Sequence, residues 1–260
     1  MPDTKVTLNI LDQKHPCIVF DSASGPPALS IKIMDRLMDL IKQVRELQSI
    51  RTLTITGKKS VFLAGGDLRD FLSLDTPEKG RKMAVKMRGV IDALQALPVP
   101  VVAAINGNAF GGGMELAVAC DLRFAIEDAK MGFTQARFGL IPGWGGATRL
   151  AALTGPGRAF YLLSSARLID AHSAMSMGLV DAVAGRHDFE ALLKGYRHAV
   201  EDLSPGAIAA MKRVILSSLS MWSANLDYEL KEFTGLWAGK EHQKGLDAFF
   251  AKEKPKWEDK

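Results

Sequence analysis

Val101-Val102-Ala103-Ala104-Ile105-Asn106-Gly107-Asn108-Ala109-Phe110-Gly111-Gly112-Gly113-Met114-Glu115-Leu116-Ala117-Val118-Ala119 is the stretch on which the fold turns. Its first five residues are apolar throughout, as in a strand covered on both faces. Asn106-Gly107 is a turn pair, and three glycines then run straight into an apolar helix start at Met114. A buried strand feeding a buried helix through a glycine turn belongs to an α/β protein with a largely parallel sheet.

Outward from this stretch the same alternation continues. Upstream, Val6 to Leu11 alternates in polarity and Pro16 to Phe20 follows a turn, which reads as a hairpin. Ile33, Leu37, Leu40, Ile41, Val44 and Leu47 recur at helical spacing over 31–47, with Ser30 as N-cap. Thr52 to Thr56 is a β-branched strand. Pro77 to Leu97 is a second helix, capped by Thr76 and stopped by Pro98-Val99-Pro100. Downstream, Leu122 to Ala125 resumes strand character. From Ser204-Pro205 onward the pattern is helical, with another helix over Asn225 to Trp237. Residues 1–200 are therefore expected to form an α/β core and 201–260 a helical extension packed on it.

Composition narrows the function classes. Of 260 residues, 47% are hydrophobic and 24% charged, which excludes a disordered or fibrous chain. No apolar run reaches the roughly eighteen residues of a membrane span, and no apolar core follows Met1 to Lys5 to make a secretory signal. Cys17 and Cys120 stand far apart without His or Cys neighbours. A disulfide framework and a zinc cluster are thereby excluded, and a reducing, cytoplasmic compartment is expected. The net charge of +4 suits an anionic small molecule better than a nucleic acid.

Two glycine turns carry the candidate chemistry. Gly111-Gly112-Gly113 leaves unpaired N–H groups at a helix start, where negative charge is favoured. On spacing alone it reads equally as close helix–strand packing. Ala64-Gly65-Gly66-Asp67 is the second turn, and one N–H from each would make an oxyanion hole. Glu115, set among Met114, Leu116, Ala117 and Val118, is a carboxylate in an apolar context, costly unless paired or used. The five histidines show no motif spacing, and most are expected at the surface.

Four segments, in order and at this spacing, resemble the crotonase (enoyl-CoA hydratase/isomerase) superfamily. They are Phe62 to Asp67, Ile105 to Leu116, Phe138 to Gly146 and Ala248 to Pro255. The resemblance covers almost the whole chain. It implies a spiral of ββα units, a homotrimer or a hexamer, and an acyl-CoA thioester as substrate, with coenzyme A entering as part of it and no separate cofactor or metal. It assigns the oxyanion hole to the N–H groups of Gly66 and Gly112. Contacts to the substrate and its CoA fall to Ala64, Gly65, Asp67, Gly111, Phe249 and Lys252, the last a basic residue that family members often supply from a neighbouring subunit.

The sequence also departs from that family. Its hydratases use two glutamates, and here the second position holds Gln135. A carboxamide orients water or a carbonyl but accepts no proton near neutral pH, and loss of a general acid–base group costs about 10²–10⁴-fold. Chemistry that needs one carboxylate or none, decarboxylation of a malonyl-type thioester or double-bond isomerisation, is thus slightly favoured over two-glutamate hydration, although the family's isomerases usually keep the carboxylate missing here. The alternatives are a conventional hydratase, in which Gln135 holds the water and Glu115 handles both proton transfers, and hydrolysis of a thioester or C–C bond. The segments Leu74 to Glu78 and Gly143 to Leu150 are similar to the ethylmalonyl-CoA decarboxylase branch. Against it, an ionised Glu115 would repel a substrate carboxylate. Trp144 stands where the family often has a small residue, and is expected either to shorten the acyl pocket or to pack in the core or a subunit interface. A third reading, from another class, is a non-catalytic RNA-binding relative using Arg36, Lys42, Arg45 and Arg51, a set diluted by Asp35, Asp39 and Glu46.

Overall fold

The computed structural model describes residues 4–10, 12–220 and 223–257, with side chains described outside 218–224. In chain order it runs β1 (Thr4–Asn9), β2 (Cys17–Ser22), α1 (Ile31–Glu46), β3 (Leu53–Gly57), β4 (Val61–Leu63), α2 (Leu68–Phe71) and α3 (Pro77–Gln95). There follow β5 (Val101–Ile105), β6 (Asn108–Phe110), α4 (Gly112–Ala119), β7 (Leu122–Ile126), β8 (Lys130–Gly132) and a 3-10 turn (Gln135–Phe138). The last part comprises α5 (Gly146–Thr154), α6 (Pro156–Ser165), β9 (Ile169–Asp170), α7 (Ala171–Ser176), β10 (Ala182–Ala184) and α8 (Phe189–Glu201). It ends with α9 (Pro205–Ser220), α10 (Ser223–Leu236) and α11 (Lys240–Ala251).

The strands form two sheets, ordered β1-β2-β3-β5-β7-β10 and β4-β6-β8-β9. The larger is parallel except for the β1–β2 hairpin, and the smaller is parallel except where β9 meets β8. Three successive turns of chain each give one strand to each sheet: β3 with β4, β5 with β6, β7 with β8. That is the spiral of ββα units. All five residues of β5 are buried, which is why its sequence carries no alternation.

The corner between the sheets explains Asn106-Gly107. Asn106 Nδ2 donates to Gly57 O at 2.7 Å and Lys59 O at 3.1 Å, clamping one turn of the spiral to the turn before. A Cβ on Gly107 would lie 2.0 Å from Ser60 O, so the stacked corners leave no room for a side chain. Gly107→Ala is expected to destabilise the fold by about 1–3 kcal/mol, measured by urea denaturation.

The capping expected at the helix starts is present. Ser30 Oγ accepts from Ile33 N at 3.2 Å, and Thr76 Oγ1 from Lys79 N at 3.3 Å. The apolar stripe of α1 is buried from Ile33 to Val44, and Met34 joins it. Strand ends differ from expectation by a residue or two: β1 begins at Thr4, and β2 extends through Ser22 where Phe20 was the expected end. Leu11, expected in the first strand, lies outside the described residues. The short strands β4, β6 and β8 and the helix α11 went unread in the residue pattern, and α4 begins at Gly112, two residues before its expected start. Among the helices after β10, α10 packs on α3 and α5, and α11 packs on the 3-10 turn. No helix among the described residues is long and apolar enough to cross a membrane.

Candidate active site

A cleft of about 1500 Å³ opens between the two glycine turns, the 3-10 turn and α11, and every site residue expected from the sequence lines it. The first turn is held by the segment before α1. Ala64 N donates to Pro27 O at 2.9 Å and Asp67 N to Leu29 O at 3.0 Å, while Gly65 O accepts from Leu29 N at 2.8 Å. This alternation leaves Gly66 N without a partner among the described residues. Gly112 N is the first amide of α4 and has no carbonyl one turn behind it. The two turns abut, since a Cβ on Gly65 would lie 3.3 Å from Gly112 N.

Aromatic rings back both amides. A Cβ on Gly66 would meet Phe71 Cε2 at 2.5 Å, and one on Gly112 would meet Trp144 Cζ3 at 2.2 Å. The two readings of the glycine run therefore both apply: Gly112 faces the cleft, while Gly113 packs, its Cβ position only 2.3 Å from Leu63 O. Trp144 is 4% exposed and belongs at once to the core and to the cleft wall, its Nε1 donating to Met83 Sδ at 3.4 Å.

Glu115 lies beneath these groups at 2% exposure. Its Oε2 accepts from Trp144 N at 2.8 Å and Gly146 N at 3.1 Å, and its Oε1 from Gln135 Nε2 at 3.0 Å. Burial, reinforced by the neighbouring Glu229 carboxylate, pushes its pKa up to about 8. A shift in this direction favours the neutral carboxyl, the form that does not repel an anionic group. Gln135 Oε1 is buried with no partner among the described residues.

The remaining expected residues have more specific places. Asp67 spends its Oδ1 on the start of α2, accepting from Arg69 N at 3.1 Å and Asp70 N at 3.3 Å, so its first task is capping. Gly111 takes φ +51 at the entry to α4. Phe249 stacks edge-on against Phe138, their centroids 5.4 Å apart. Lys252 ends α11 at the cleft of its own chain.

Sequence reading missed three groups here. Glu229 of α10 is buried and accepts from Gly145 N at 2.8 Å and Thr148 N at 2.9 Å. Arg149, also buried, donates to Trp144 O at 3.0 Å. His242 of α11 is buried against Trp237, its Nδ1 accepting from Ala238 N at 3.0 Å. Burial lowers its pKa to about 4, so the ring is neutral. His15 is buried too, hydrogen-bonded to Thr52, while the other three histidines are exposed as expected.

A family model described as enoyl-CoA hydratase/isomerase matches residues 18–260. The chain belongs to this family. A probable enoyl-CoA hydratase of Bacillus subtilis is 32% identical over 238 residues, covering 90% of this chain and 92% of that protein. An ethylmalonyl-CoA decarboxylase of Danio rerio is 34% identical over 247 residues, covering 90% and 80%. The crystal structure of an enoyl-CoA hydratase from Bacillus anthracis superposes with a TM-score of 0.78 at 30% identity, covering 97% of this chain and 98% of that one. As a member of the enoyl-CoA hydratase/isomerase family, the chain is an acyl-CoA enzyme of the crotonase fold. The basic residues considered for RNA are engaged in part with other groups: Lys42 pairs with Asp39 at 3.9 Å, and Arg51 donates to Val200 O at 2.6 Å.

Proposed function

We propose that the protein decarboxylates a malonyl-type CoA thioester with a short or branched acyl group. The observation that carries this reading is Glu115, buried in the cleft that two unpartnered amides line, where burial raises its pKa. Cleavage of the bond between the α-carbon and the carboxylate releases CO₂ and leaves its electron pair in the thioester enolate. The N–H groups of Gly66 and Gly112 hold the enolate oxygen, one such donor being worth about 2.7–4 kcal/mol. Glu115 gives its proton to the α-carbon and recovers one from solvent. Phe71, Met83, Trp144, Phe233 and Trp237 supply an apolar wall, which desolvates the departing carboxylate and favours its loss. Isomerisation fits less well, because it begins with a base and Glu115 is an acid at neutral pH.

Coenzyme A would run past Ala64, Gly65 and Gly111 to Phe249 and Lys252. The exposed apolar residues Met211, Val214 and Ile215 of α9 support association of copies into the trimer or hexamer that the family implies.

One observation favours a second reading. The unpartnered Gln135 Oε1 suits a bound water, which would serve hydration of an enoyl thioester with Glu115 handling both proton transfers. Incubation with methylmalonyl-CoA, ethylmalonyl-CoA and crotonyl-CoA, followed by mass spectrometry, separates the two. Loss of CO₂ from a malonyl-type thioester is the expected result. Addition of water to crotonyl-CoA without that loss favours the second reading, and no change in any thioester overturns both.

A further inference from the structure

Two buried carboxylates share the start of one helix. Glu115 takes the amides of Trp144 and Gly146, and Glu229, 2.8 Å from Gly145 N, takes the amide between them. Glu229 also accepts from Thr148 N at 2.9 Å and Thr148 Oγ1 at 2.8 Å. The two side chains come from different helices, α4 and α10, and meet only at this turn.

One cation is buried with them. Arg149 donates to Trp144 O and to Gln95 Oε1, both at 3.0 Å. Of the other charged groups facing the cluster, Asp92 of α3 is exposed, and Arg88 of α3, its side chain only 18% exposed, is paired at 3.3 Å with Asp227 of α10 and so adds no net charge. Gln95 and Gln135 are neutral. One guanidinium and two carboxylates in a buried space are neutral only if one carboxyl keeps a proton, and a net buried charge is costly.

We propose that Glu229 is a positioning residue for the acid: it holds the negative charge of the pair and thereby keeps the proton on Glu115. Burial raises the pKa of Glu229 as well, but Thr148 gives it an amide and a hydroxyl and Gly145 a further amide, and these bonds oppose the rise by favouring the charged form. Glu115, facing the cleft and the carboxamide of Gln135, is left as the neutral partner. The proposal rests on the reading of Glu115 as proton donor, and it accounts for how one carboxyl stays an acid at neutral pH without a second one in the cleft.

Infrared difference titration of the full chain tests this without turnover. A protonated-carboxyl band should persist at pH 7 in the wild type and vanish in Glu115→Gln. In Glu229→Gln the midpoint of the Glu115 band should fall by about one unit or more. The alkaline limb of the kcat profile should move down with it, while KM stays unchanged. A band that survives at pH 7 in Glu115→Gln puts the proton elsewhere and overturns the proposal. An unchanged midpoint in Glu229→Gln also overturns it. Should Glu229→Gln fail to fold, the wild type and Glu115→Gln still decide where the proton sits. If the band behaves as expected but no malonyl-type thioester is decarboxylated, the functional reading falls and the assignment of the charge stands.

Discussion

Glu115→Gln is expected to lose about 10²–10⁴-fold in turnover of a malonyl-type thioester and, in the same variant, to gain stability in alkali. The loss follows from removing the buried carboxyl that lines the cleft with the two free amides, the neighbouring Asp67 being taken up in capping α2. The amides of Gly66 and Gly112 proposed to hold the enolate oxygen remain, so binding of a CoA thioester measured by calorimetry should be nearly unchanged. The gain follows from linkage. In the folded chain the Glu115 carboxyl titrates near 8, against an ordinary 4.5. Between those values the folded state holds a proton that the unfolded state has released, so stability falls as pH rises. At about 1.36 kcal/mol per unit the fall amounts to roughly 5 kcal/mol, complete above pH 8 and absent below pH 4.5. Urea denaturation across this window should show the wild type losing stability relative to Glu115→Gln. Curves that stay parallel would mean that Glu115 is ionised throughout.

Trp144→Ala has the second large effect. The ring is buried against Gly112 and reaches Met83, so its removal leaves a cavity beside the amide proposed to hold the enolate. Loss of a buried aromatic of this size costs about 3–5 kcal/mol. The same cavity lengthens the acyl space. Relative kcat/KM over a series of thioesters should therefore shift toward longer chains, and an unchanged order would place the acyl group away from Trp144.

Much of this site could be read before any coordinates. The run from Val101 to Ala119 announces a buried strand, a corner and a buried helix, because each needs a distinctive composition: continuous apolar residues, an Asn-Gly pair, a glycine triplet. The caps Ser30 and Thr76 were legible for a similar reason, since capping is local chemistry. Strands of three residues, β4, β6 and β8, are too short to show a period, so the second sheet was reached only through the family resemblance. Glu229 and His242 were invisible for another reason. Their meaning lies in partners far away in the chain, and a glutamate on a helix with charged neighbours looks like any solvated residue until α10 is packed on α5.

The walls of the cleft come from residues far apart in the chain, Ser24 to Trp257, and this sets the order in which the site can be assembled. Ribosomes deliver about 5–20 residues per second, amino end first. Both glycine turns leave the exit tunnel well before Glu229, Trp237, His242 and Lys252 have been joined. A nascent polypeptide therefore carries both glycine turns before α10 exists to pack on α5, and Glu115 gains its buried carboxylate neighbour only once Glu229 has been added.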